Sequence, residues 1–391
     1  MNSYKLRDLI KNHNGTKYSH LETGDIPLYG SGGIMSYVND FLYNGEAVLL
    51  PRKGTLSNIM FTTGKIWTVD TMYYATTNEK VIPYYLYCYL SILDLEHLDS
   101  GSALPSMTKS VYEDLEIKLP NIPTQKAISK VLSDLDAKIE LNNKINQELE
   151  AMAKTLYDYW FVQFDFPDKN GKPYKSSGGK MVFNKELKRE IPKGWEVKKI
   201  SNYCDIVDCL HSKKSNYIFE QEKYFLLQLE NIRDDGLIDL TNKYYVSKKE
   251  YKHWTTRIEI KDHDLVVTNA GRVASLAQVP KNIIAGIGRN ITAIRPVKIN
   301  PTFLYYTFQG AEMKRQIKLN TDFGIFFNSL NVRGIKELYI VRAPKKIEDK
   351  FEIIILPTRR QRELNIKQNQ QLTSLRNWLL PMLMNGQVKV I

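Results

Sequence analysis

The stretch Asn142-Asn143-Lys144-Ile145-Asn146-Gln147-Glu148-Leu149 returns as Asn365-Ile366-Lys367-Gln368-Asn369-Gln370-Gln371-Leu372, with five of eight positions identical at an offset of 223. The same offset aligns Ser106 with Ser329, Leu115 with Leu338, Ile117 with Ile340 and Leu156 with Leu379. Upstream the offset falls to 218, where Pro83, Leu86 and Tyr87 meet Pro301, Leu304 and Tyr305, and to 217, where Gly54 meets Gly271. At 191, Tyr4 meets Trp195, and Leu6 and Leu9 meet Val197 and Ile200. The chain therefore reads as a sequence written twice, each half a globular region followed by a helical one. The second globular region carries about 26 extra residues before Gly271. Insertions lodge in surface loops, so the pattern predicts one scaffold dressed with two sets of loops.

The helical regions carry a seam. Leu132, Leu135, Ile139, Asn142, Asn146, Leu149, Ala153, Leu156 and Trp160 follow one another at steps of three and four, a heptad pattern. A helix over residues 124–161 would be roughly 57 Å long at 1.5 Å per residue. The second copy places Phe351, Ile355, Asn365, Asn369, Leu372, Leu379 and Leu383 at equivalent positions. Asn142 and Asn146 opposite Asn365 and Asn369 would fix the register of an antiparallel pair, because a slipped partner leaves buried amides unsatisfied. Pro357 predicts that the second helix starts or kinks there, and Thr358, Arg362 and Arg376 interrupt its seam.

Between the halves, residues 164–195 are rich in Gly, Lys and Ser around Gly171–Lys180 and read as a linker. With 391 residues, 43% of them hydrophobic and 25% charged, wholesale disorder is excluded and more than one domain is expected. The net charge of +12 favours a polyanionic partner. Cys88, Cys204 and Cys209 cannot form a disulfide framework, and the longest apolar stretch, 81–93, is too short to span a bilayer. The expectation is a reduced, cytoplasmic protein without a membrane partner.

No catalytic signature emerges. Gly30-Ser31-Gly32-Gly33 lacks the strand–loop–helix context of a nucleotide site and reads as a tight turn. Gly179-Lys180 is followed by Met181, which has no hydroxyl for a magnesium ion. Cys204, Cys209 and His211 are too widely spaced for a zinc knuckle and lack a second pair, so no metal site is expected.

Several segments carry a family resemblance. Ile191-Pro192-Lys193-Gly194-Trp195, preceded by Gly171–Lys180, looks like the lead-in to a target recognition domain. Leu119-Pro120 with Gln125 and Leu135-Asp136 looks like the start of a central helical spacer, and Leu379–Gln387 like a terminal one. In that order they resemble the specificity (S) subunit of type I restriction-modification enzymes. The resemblance implies an α+β fold: two related target recognition domains separated by two long helices packed as an antiparallel coiled coil. The domains would be 1–120 and 195–344, the spacers 121–165 and 345–391, and the linker 166–194.

It further implies that each recognition domain binds one half of an asymmetric bipartite site in double-stranded DNA. The helices would dock two methyltransferase subunits, which bind S-adenosylmethionine, and translocating nuclease subunits would complete the complex. The chain itself would need no cofactor and catalyse nothing. Two other arrangements fit the same residues: a specificity chain whose partner fuses nuclease and methylase, and a two-domain coiled-coil scaffold.

Candidate DNA-contacting residues come from physics alone. Arg52, Lys53, Thr55, Ser57 and Asn58 surround Gly54 at the close of an apolar strand, and Asn269 and Arg272 flank Gly271 at the matching place. Arg289 and Asn290 form another donor-rich pair. Arg pairs bidentately with guanine and Asn with adenine, so these types suit base readout. Tyr157, Tyr159, Trp160 and Phe161, at the end of the first long helix, are the candidate surface for a protein partner.

Overall fold

Two four-stranded antiparallel sheets with one strand order organise the chain, one in each half. The structure is a computed structural model that describes residues 2–95, 98, 105–210, 215–218, 223–324 and 328–390. Two units result, residues 1–141 with 369–391, and residues 142–368.

In the first unit the strands are β1 (Asn2–Lys5), β2 (Ile10–Asn14), β3 (Thr23–Gly30), β4 (Gly33–Val38), β5 (Tyr43–Asn44), β6 (Ala47–Pro51), β7 (Met60–Thr62), β8 (Lys65–Thr68) and β9 (Met72–Thr77). Helices α1 (Pro83–Leu90) and α2 (Lys109–Glu113), strand β10 (Glu116–Leu119) and helix α3 (Ile122–Tyr157) follow. The main sheet runs β2-β9-β6-β7, a second runs β4-β3-β8-β5, and β1 pairs with β10. Every residue of β6 is buried, as expected of a strand covered on both faces.

The second unit continues with a π-helical turn (Asp158–Val162), β11 (Met181–Asn184), β12 (Arg189–Pro192), β13 (Glu196–Lys199), β14 (Cys204–Asp208), β15 (Phe225–Leu227), β16 (Tyr244–Tyr245) and α4 (Lys248–Trp254). Then come β17 (Leu265–Thr268), β18 (Leu276–Gln278), β19 (Gly286–Ile287), β20 (Ile291–Pro296), α5 (Pro301–Gln309), α6 (Ala311–Leu319), β21 (Asp322–Phe323), β22 (Asn328–Ser329), α7 (Val332–Lys336), β23 (Tyr339–Arg342) and α8 (Lys345–Met384). Its main sheet, β14-β20-β17-β18, reproduces β2-β9-β6-β7, and the parallel pair β15–β19 reproduces β3–β8. Pro opens both α1 and α5, where its missing N–H costs nothing.

The repeat holds, with one correction at its start. Ile10 opens β2 and Cys204 opens β14, an offset of 194 rather than 191. Leu6, whose amide donates to the Leu115 carbonyl, corresponds to Ile200, whose amide donates to Leu338. Val197, Ile200 and Tyr203 recur every three residues, as do Leu6 and Leu9, so an apolar match can slip by one 3-10 turn unnoticed. The extra residues of the second unit therefore number about 23, and most, including α4, lie between β15 and β17.

Helices α3 and α8 pack antiparallel within each unit. In the first, Asp136 faces Arg376, and Asn369 Nδ2 reaches the Ile139 carbonyl. In the second, Asn365 Nδ2 donates to Asn146 Oδ1 at 2.8 Å, Asn142 Nδ2 to Gln368 Oε1 at 2.8 Å, and Arg362 pairs with Glu150. Arg362 and Arg376 thus serve the seam as charged pairs rather than interrupting it. Nor does Pro357 end α8, which runs unbroken from Lys345 to Met384. Pro357 is exposed, as is Ile353 four residues before it, so water can satisfy the carbonyl that proline cannot. On the opposite side Phe351 and Ile355 are fully packed and hold the helix through the lesion.

Residues 164–195 are more than a tether. Phe164, Phe166, Ile191 and Trp195 enter the second unit's core, and β11–β12 forms a hairpin within the segment. The Phe166 ring stacks between Tyr174 and Trp195. Polar composition around Gly171–Lys180 concealed these anchors at its two ends. The same core takes three of the four residues expected on a partner surface: Tyr157, Trp160 and Phe161 are only 5–6% exposed. Phe161 meets Phe303 and Phe351 edge-on, and the Tyr157 hydroxyl donates to Thr307. Only Tyr159 faces outward. Phe161→Ala is expected to cost about 3–5 kcal/mol and Tyr159→Ala less than about 0.5 kcal/mol, read as shifts of the urea unfolding midpoint.

Candidate nucleic-acid interface

Three backbone segments converge at one end of the first unit: the turn between β3 and β4, the loop 52–58 after β6, and the turn 69–71 between β8 and β9. The Arg52 amide donates to the Thr71 carbonyl, the Val69 amide to Tyr29, and Asn58 Nδ2 to the Ser31 carbonyl at 2.7 Å. Gly54, at φ +93°, leaves its Cβ direction to the Ser31 hydroxyl. Arg52, Lys53, Thr55 and Ser57 are exposed here, whereas Asn58 is half-buried and its amide is committed to the turn. The Arg52 guanidinium lies over the Tyr73 ring and reaches the Asp70 carbonyl.

The second unit repeats this convergence. The Asn269 amide donates to the Asn290 carbonyl as Arg52 does to Thr71, and the Gly288 amide to Leu227 as Val69 does to Tyr29. Gly271, at φ +76°, occupies the place of Gly54. The bridge Lys53–Ser106 has its counterpart in Ala270–Ser329.

Chemistry differs where geometry agrees. Asn269 is buried, accepting from Thr292 and reaching Asp208, so both faces of its amide serve the fold. The Arg272 guanidinium is likewise engaged, donating to Asp234 Oδ1 at 2.8 Å and to the carbonyls of Leu229 and Ile232. It braces the 229–234 segment rather than reaching outward. Arg289 is exposed beside Asn290, whose positive φ of 61° turns the chain there. Glu230, Arg233, Asp234 and Asp235 are also exposed, with Arg233 paired to Asp235. The sequence reading took the Gly30–Gly33 cluster only as a turn; the signal it passed over is the following run Ile34-Met35-Ser36-Tyr37, which does not alternate between apolar and polar.

Each unit ties its globular part to the helix pair by tyrosines on a short helix. In the first, the Tyr84 hydroxyl donates to Asp136 Oδ2 at 2.6 Å, and Arg376 Nη2 donates to the Tyr87 hydroxyl at 3.2 Å. In the second, the hydroxyls of Tyr305 and Tyr306 donate to Glu150, beside Arg362. Burial pushes the Glu150 carboxyl above its ordinary range, with Arg362 and the two hydroxyls acting against it.

The outward faces of the helices carry apolar residues that the heptad seam did not account for. Leu141 and Leu375 in the first unit are 50% and 43% exposed, and Met152 and Leu364 in the second 66% and 60%. At the repeat offset of 223, Leu141 corresponds to Leu364 and Met152 to Leu375. That recurrence was the available signal.

Cys88, Cys204 and Cys209 are buried and not joined in disulfides; burial pushes Cys88 and Cys204 up to about 12. His211 lies outside the described residues. Among the described residues no group of three or more His, Cys, Asp or Glu could hold a metal ion, and no helix is long and apolar enough to cross a membrane.

Residues 1–151 match the family described as the Type I restriction modification DNA specificity domain. The type I restriction enzyme MjaIX specificity subunit of Methanocaldococcus jannaschii is 23% identical over 405 aligned residues, spanning 96% of this chain and 89% of that one. The HindI specificity subunit of Haemophilus influenzae is 23% identical over 338 residues, 74% of this chain and 72% of its own. Among solved structures, the type I restriction-modification S subunit from M. genitalium shares the fold with a TM-score of 0.56 at 14% identity, covering 98% of this chain and 95% of that one. With its duplicated sheets and paired helices, the chain is similar over nearly its whole length to specificity subunits of type I restriction-modification enzymes, and its residues 1–151 match their DNA specificity domain.

Proposed function

We propose that this chain recognises an asymmetric, bipartite site in double-stranded DNA, each unit reading one half through the loop-bearing end of its sheet. The observation that carries this reading is the duplicated scaffold with dissimilar ends. The three segments that converge are held by the same backbone bonds in both units, yet one end shows Arg52, Lys53, Thr55 and Ser57 and the other Glu230, Arg233, Asp234 and Arg289. Phosphate neutralisation supplies affinity, which suits a net charge of +12, and a few side chains at base edges supply sequence. One such end spans only a few base pairs, so two give a split site.

In this proposal the chain is the non-catalytic recognition subunit of its complex. Two methyltransferase subunits supply S-adenosylmethionine chemistry, and translocating nuclease subunits join them. The repeat-related pairs Leu141/Leu375 and Met152/Leu364 offer two equivalent apolar patches, which suit two copies of one partner.

Two measurements test the proposal, and a third tests the bracing role of Arg272. Methylome mapping of a host expressing this chain with its neighbouring methyltransferase is expected to reveal a split, asymmetric methylated motif absent with the methyltransferase alone; an unchanged methylome with both proteins expressed would refute it. Leu141→Glu with Leu375→Glu, or Met152→Glu with Leu364→Glu, should each lower the bound methyltransferase from two copies to one, read by native mass spectrometry. Arg272→Ala should raise amide exchange across 229–234 by about tenfold, the low end for losing a hydrogen bond to a charged group.

A further inference from the structure

The β3–β4 ribbon of the first unit ends in a cluster of exposed apolar side chains. Ile34 and Met35 are 50% and 55% exposed, and Tyr37 is 50% exposed. Among the described residues β4 is an edge strand, paired only with β3. The pairing register jumps from Leu28↔Ser36 to Tyr29↔Ile34, so Met35 is the extra residue of a β-bulge. Bulges re-aim side chains, and this one turns two consecutive apolar residues to the surface, against the alternation an ordinary strand would impose.

Their surroundings are not those of a patch awaiting burial within this chain. The Asn58 amide binds the Ser31 carbonyl and fixes the ribbon tip against loop 52–58, which exposes Arg52, Lys53, Thr55 and Ser57. An apolar tip flanked by cations and hydroxyl donors complements a polyanion whose interior edges carry methyl groups. The major groove admits a two-stranded β-ribbon, and the thymine C5-methyl is the apolar feature displayed there.

Resting on the DNA-recognition reading above, we propose that the β3–β4 ribbon enters the major groove and that Ile34 and Met35 read thymine methyl groups in the half-site of the first unit. The half-site of the second unit is read differently, because the equivalent edge strand, β16, is only two residues long and both are half-buried.

The test uses the full chain assembled with its methyltransferase, on duplexes carrying the motif found by methylome mapping. Deoxyuridine substituted for thymine deletes only the methyl group. At the affected position it should weaken binding roughly fourfold, the value of one buried methyl-sized group. Ile34→Ser with Met35→Ser should abolish that thymine–uracil difference and relax the motif in one half only, while Ile34→Val with Met35→Leu should retain both. Phe183→Ser, an exposed aromatic on the β11–β12 hairpin of the other unit, should change neither.

A thymine–uracil difference that survives the serine variant overturns the proposal. So does equal weakening on every sequence, which would mark a backbone contact. An unchanged motif with intact chain-dependent methylation would also overturn it and give the ribbon to a protein partner. Absence of any chain-dependent motif would instead defeat the DNA-recognition reading, and this inference with it.

Discussion

Buried amides cannot tolerate a slipped partner, and the Asn146–Asn365 hydrogen bond places that constraint in the seam between α3 and α8. An apolar seam would tolerate sliding by a heptad at modest cost. Here a slip would strand the amides of Asn142, Asn146 and Asn365 and the charges of Glu150 and Arg362, each costing on the order of 1–3 kcal/mol or more. The charged pairs do a second job. Asp136 and Glu150 accept hydrogen bonds from tyrosines of α1 and α5, so each globular part is referenced to the same side chains that register the helices. Within each unit, the short helix and the two long helices are joined by polar contacts as well as by apolar packing.

The loop-bearing ends show how one scaffold can present two different surfaces without changing itself. Backbone-to-backbone bonds hold the converging segments in both units, and backbone bonds do not depend on side-chain identity. At the matching place both units carry a glycine at positive φ, Gly54 and Gly271. The exposed side chains around them differ between the units. One end packs a Gly-rich turn against a basic loop; the other commits an arginine, Arg272, to holding a longer insertion in place.

Much of this was legible in the sequence because duplication compares a chain with itself. The equivalence of Gly54 with Gly271, of Pro83 with Pro301 and of the two seams needed no outside reference. Failures came where local pattern competes with tertiary context. Pro357 signalled a break that an exposed helix face absorbs, and Arg362 signalled a spoiled seam because its partner, Glu150, lies far away in the chain. Tyr157, Trp160 and Phe161 suited an interface as well as a core, and only the packing of Phe303 and Phe351 decides between them. Among the recognition candidates, Asn269 and Arg272 have the right chemistry but spend it on the fold, which residue type alone does not reveal.

The thiols offer a practical opening. Cys88, Cys204 and Cys209 are sealed in the cores, and with Cys88 and Cys204 held near 12 only a minute fraction is thiolate at neutral pH. A cysteine introduced at an exposed position, on the ribbon tip or on a helix face, would be the accessible thiol that a mild thiol-selective dye meets, the three native ones being buried. Fluorescent or spin labels can therefore be installed on the native background without first removing its own sulfur. The surroundings of one labelled end can then be followed while the other remains optically silent.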